Sequence, residues 1–116
     1  ERGIEHEKDF AILTAEISKA TFGMTPSEYK KYKNIPKKSK SNLRDNMTDL
    51  ELIFTMLGER VTTEISHIEK PKSFHENKKV AKRGGKVAGN ARKETEKEIK
   101  KSIISNKNYL GLEDKN

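Results

Sequence analysis

At 116 residues, with 31 % hydrophobic and 37 % charged side chains, the chain is by length one small domain or part of a larger protein, too charged for a deep core and too periodic for full disorder. It contains no cysteine, which excludes a disulfide framework and a thiolate metal site, and no apolar run of membrane-spanning length; the expected address is the cytoplasm, with no membrane partner. The net charge of +7 is uneven: residues 28–44 hold seven Lys/Arg against one acid, residues 78–101 hold ten against three, and the remainder is acidic. Two basic blocks of this kind point to an anionic partner, nucleic acid first, with a solvated helix face as the equally weighted alternative.

In chain order, Phe10, Leu13, Ile17 and Ala20 share one face at three- and four-residue spacing, flanked by Ile12, and predict an amphipathic helix over residues 4–21 that Gly23 ends. Thr25, Pro26 and Glu28 form a capping box with proline at the first helical position, opening a short helix that carries Tyr29 and Tyr32. The proline, serines and lysines of "IPKKSKSN" read as a loop. The steps from Leu43 through Met47, Leu50, Phe54, Leu57, Val61 and Ile65 to Ile68 are fours and threes, an almost unbroken heptad seam. Thr48 and Glu51 restart that helix after a turn at 42–46, and Pro71 sets its end near Glu69.

A fourth helix begins near Ser73, and its inward face is made of small residues. Ala81, Gly84, Ala88 and Ala91 recur at three and four, with Gly85 and Gly89 one position along. Each glycine costs an exposed helix about 1 kcal/mol relative to alanine, so the stretch "VAKRGGKVAGNARKE" needs a reason. Close packing by another helix is the leading one, and a local break or kink is the second. A phosphate loop is excluded, because neither glycine fingerprint is present and no strand precedes residue 84. The tail carrying Ile103, Ile104, Tyr109 and Leu110 is expected to dock as an extended strip before residues 113–116 fray.

No catalytic constellation emerges, and no enzyme activity, cofactor or metal is expected. His6, His67 and His75 do not share a zinc spacing. Asp45, Asp49, Glu51, Glu59 and Glu64 are explained more simply as caps and surface pairs than as general acids or bases, which need a pocket. Tyr29 and Tyr32, lying in the first basic block, fit packing better than base stacking.

Four strings together, "FAILTAEISKATFGMTPSEYK", "NLRDNMTDLELIFTMLGE", "TTEIS" and "FHENKKVAKRGGKVAGNARKETE", resemble the C-terminal region of BRO-family prophage antirepressors, a group also described as DNA-damage-inducible protein D-like. The resemblance runs from about Arg2 to Leu112. It implies a fragment of a phage-derived transcriptional regulator from which the N-terminal, DNA-binding Bro-N domain is absent. It brings no catalytic residues.

The expectation is therefore an all-α domain over residues 1–112, of about four helices with one long central amphipathic helix, forming an intertwined or helix-packed homodimer. A chain this lean in apolar residues stabilises itself more easily by sharing a core. The expected interface is Leu50, Phe54, Leu57, Val61, Ala81, Gly84, Gly85, Ala88 and Gly89. Its role would be self-association and partner binding, the partner being a repressor or recombination protein, with DNA reached through the full-length regulator. The alternative role is an accessory nucleic-acid module contacting phosphates through Lys78, Lys79, Lys82, Arg83, Lys86, Arg92 and Lys93, salt-sensitive and weakly sequence-selective.

Overall fold

The computed structural model describes residues 7–36 and 42–106, and among them every regular element is helical. The expected residues 4–6 of the first helix, His6, the lysines and serines of 37–41, Tyr109, Leu110 and the tail 113–116 lie outside the described residues. Helix α1 spans Glu7–Phe22, α2 Pro26–Tyr32, α3 Asp49–Glu69 and α4 Phe74–Ile99, with one 3-10 turn at Arg44–Asn46.

The ends of these helices follow from local chemistry. Gly23 adopts φ +78° and donates its N–H to the Lys19 carbonyl at 2.8 Å, closing α1 in the left-handed conformation that glycine takes at no steric cost. Both capping boxes form: Thr25 with Glu28 opens α2, and Thr48 with Glu51 opens α3. Ser73 accepts from the Glu76 N–H at 3.0 Å and opens α4. Caps of this kind each contribute about 1 kcal/mol. Lys70 ends α3 in the left-handed region, with its N–H on the Ser66 carbonyl and Pro71 immediately after.

Helix α4 runs unbroken through Gly84 and Gly85 for 26 residues and lies between α1 and α3. The larger apolar side chains collect towards one end of the helices. There Phe22, Tyr29, Met47, Phe54 and Ile103 form the core cluster, with Leu43, Leu52, Leu57, Ala91 and Ile104 packed around it. Phe22 and Tyr29 meet edge to face with ring centroids 5.0 Å apart. Of the strip expected to dock after α4, Ile103 is buried in the core cluster and Ile104 packs half-buried against it.

Along the rest of α4 the packing is backbone against backbone. A Cβ on Gly84 would stand 2.7 Å from the Thr62 nitrogen of α3, and one on Gly85 would stand 2.6 Å from the Ile17 carbonyl oxygen of α1. Gly89 meets the Ala20 carbonyl in the same way. Gly58 adds a small residue from α3, with Ile17, Thr21 and Ala88 around it. The unfavourable propensity of the α4 glycines is thus offset by contact on two sides.

Candidate interaction surfaces

The small-residue seam meets its own chain. Ala81, Gly84, Gly85, Ala88 and Gly89 are buried against α1 and α3, and Phe54 is buried in the core cluster. This corrects their assignment to a surface shared with a second copy. The reason is steric: the space above each of these residues is already filled by a neighbouring helix of the same chain.

The remaining expected interface residues stand differently. Leu50 is exposed, and Leu57 and Val61 are half-buried. Two residues outside the expected interface join them, Ile53, which lies off the heptad spacing, at 54 % exposure and Ile68, its last step, at 76 %. At about 100° per residue, Leu50, Ile53, Leu57, Val61 and Ile68 fall within an arc of about 80° on α3, which also holds the exposed Glu64. Val87 of α4 is also exposed, on the flank of α4 that faces α3. The heptad seam therefore splits: Met47 and Phe54 turn inward, Leu57 and Val61 are half-buried with Leu57 against the core cluster, and Leu50 and Ile68 turn outward.

The expected nucleic-acid contacts also divide. Arg92 is buried; its Nε donates to the Thr21 carbonyl at 2.7 Å and its Nη1 to both Glu96 carboxylate oxygens at 2.9 Å. Its place on the expected contact surface is corrected accordingly: its charge neutralises Glu96 and caps the C-terminal end of α1. Arg83 is exposed but holds Glu69 in a two-pronged bond at 2.7 and 2.8 Å, which keeps the Glu69 carboxyl below its usual range. Lys78 and Lys82 approach Glu16 of α1 at 3.8 and 4.0 Å. Lys79, Lys86 and Lys93 are solvent-exposed or nearly so, and Lys97, which the expected set omitted, is exposed one turn beyond Lys93.

A buried polar cluster ties α2 to α3 and to the returning tail. The Glu51 carboxylate accepts the Lys33 ammonium at 2.9 Å, the Tyr29 hydroxyl, the Thr48 N–H at 2.8 Å and the Ser105 N–H at 3.0 Å. Lys33, Glu51 and Tyr29 are all fully buried. Burial, followed by the bond to Glu51, pushes the Tyr29 hydroxyl well above the usual tyrosine range. Capping was readable for Glu51; the ion pair was not, because Lys33 looks like any other lysine of the first basic block. Saturated with donors, Glu51 has a structural task.

Among the described residues, no three His, Cys, Asp or Glu side chains are grouped to hold a metal ion, and no helix is long and apolar enough to cross a membrane. Comparison with protein-family models, with curated proteins and with solved structures returns no match for this chain.

Proposed function

We propose that this chain is the self-association and partner-binding domain of a phage-type antirepressor or DNA-damage-inducible transcriptional regulator working in the cytoplasm. The observation that supports this reading is the outer flank of α3, where Leu50, Ile53 and Ile68 are exposed and Leu57 and Val61 half-buried, with Val87 beside them and Glu64 standing between Val61 and Ile68. Single exposed aliphatics are ordinary on a monomer, but several gathered on one helix flank mark an interaction site. A second copy is the natural occupant, since a patch on one helix can pair with itself about a two-fold axis. Such a dimer would hold two N-terminal modules in the symmetry of a palindromic operator. A repressor or recombination protein would compete for the same flank.

Sedimentation velocity at tens of micromolar tests this. The native chain is expected to run as a dimer, and Ile53→Glu with Ile68→Glu as a folded monomer. A native chain that stays monomeric throughout that range overturns the reading.

A further inference from the structure

Helix α4 has two exposed flanks of opposite character. On the flank beside α1, Lys79, Lys82, Lys86, Lys93 and Lys97 fall within an arc of about 60° at 100° per residue, and all five are exposed. His75 and Asn90 continue the same row, and no Asp or Glu of α4 lies in it. The flank facing α3 is the reverse: it carries Glu76, Glu94 and Glu98, the apolar Val87, and Arg83 bonded to Glu69. Glu16 of α1 approaches Lys82 at 4.0 Å and shares a shallow cleft with Lys19, Lys82 and Lys86.

Five lysines in line repel one another, at about 0.2–0.5 kcal/mol for each pair three or four residues apart. The close packing of Gly84 on α3 and of Gly85 and Gly89 on α1 fixes the helix and so holds them in this row. From Lys79 to Lys97 the row is about 27 Å long at 1.5 Å per residue, the length of about eight base pairs at 3.4 Å per phosphate of each strand. Lysine is a compact point charge suited to phosphate, and this flank offers no arginine fork to read a base edge. Apart from His75 at its end it carries no aromatic side chain, and no Phe, Tyr or Trp, whereas single-strand binders rely on stacking platforms.

We propose that the α4 lysine row is a contact surface for the phosphate backbone of duplex nucleic acid, engaged without regard to base sequence. This goes beyond self-association and uses the flank of α4 that the outer flank of α3 leaves free.

Fluorescence anisotropy with a labelled 20-base-pair duplex of random sequence tests it, using the 116-residue chain. Five phosphate contacts give a slope of log affinity against log salt of about −4.5, a loss of a few hundred-fold between about 50 and 200 mM salt. Lys86→Gln/Lys93→Gln/Lys97→Gln is expected to reduce that loss to about tenfold, the slope falling by about one for each lysine removed. Arg60→Gln, an exposed cation on α3, should bind like the native chain. Circular dichroism is expected to show unchanged helix in both variants. Absence of duplex binding at low salt, a triple variant that binds like the native chain, or equal binding of a single strand or of poly-glutamate would each overturn the proposal.

Discussion

Gly84 of α4 lies directly across from Thr62 of α3: a Cβ on Gly84 would come 2.7 Å from the Thr62 backbone nitrogen, so the two helices meet main chain to main chain. On the adjoining face of α4, Gly85 meets the Ile17 carbonyl of α1. One helix thus lets two others approach as closely as backbones allow. The flat arrangement of three long helices depends on residues that have no side chains to contribute.

Replacing Gly84 with alanine sets two effects against each other. Alanine favours the helix by about 1 kcal/mol, but its methyl overlaps Thr62, and overpacking a filled site costs about 1–3 kcal/mol. The expected net result for Gly84→Ala is destabilisation, and Gly85→Leu is expected to be worse. Asn90→Ala, on the exposed side of the same helix, should be neutral or slightly stabilising. Urea denaturation monitored by circular dichroism orders the three variants, and a Gly84→Ala chain more stable than native would show that the helices can part without cost.

How far the fold can be read from sequence depends on whether the signal is local. The caps at Thr25, Thr48 and Ser73 were legible because each is complete within four residues. The seam at 81–91 stated how closely a helix may approach, but not which helix approaches. Heptad spacing on α3 gives the period without the phase, so it passes over the exposed Ile53 and groups the buried Phe54 with the exposed Leu50. Arg92 carries its signal in its phase on α4. It follows Ala88 by four residues and Gly85 by seven, in phase with the buried face, yet its charge suggested solvent. Lys97 continues the row of Lys86 and Lys93 by the same arithmetic.

Arg92 should behave as a structural residue. Its guanidinium bonds the Thr21 carbonyl near the end of α1 and the Glu96 carboxylate one turn along α4, and Glu96 in turn accepts the Ile103 N–H at 2.9 Å. Hydrogen bonds to charged groups are worth about 1.5–3 kcal/mol. Arg92→Ala is expected to cost that much or more, because it also leaves Glu96 without its cation. Duplex binding by the folded fraction should be unchanged. A variant of native stability with weakened DNA binding would return Arg92 to the contact surface.

The Lys33–Glu51 pair is expected to show strong coupling. Removing one member of a fully buried pair leaves an uncompensated charge and costs about 3–5 kcal/mol, whereas replacing both by apolar residues of similar size can be close to neutral. Lys33→Met alone should therefore unfold the chain at a much lower urea concentration. Glu51 also serves as the α3 cap and holds Tyr29 and Ser105, so Lys33→Met/Glu51→Leu should recover only part of the loss. A double-mutant cycle reads the difference, and additive single effects would show that the pair is held apart by water.

Tyr29 provides a prediction at alkaline pH. Its hydroxyl is buried against Glu51 and keeps its proton in the folded chain well above the usual tyrosine pKa of about 10. The folded-state value is raised, so the contribution is fully present below about pH 10, where folded and unfolded forms are both protonated. Above pH 10 the unfolded chain releases this proton and the folded chain does not. Stability from this group alone then falls by about 1.4 kcal/mol per pH unit. Lysines titrate in the same region, which makes the comparison with Tyr29→Phe the informative one. That variant lacks the hydroxyl bond to Glu51 and should be less stable at pH 8, with a shallower decline between pH 10 and 11.5. Urea midpoints across this range decide the matter: parallel curves for the two proteins would mean that the Tyr29 hydroxyl ionises in the folded chain as readily as in the unfolded one.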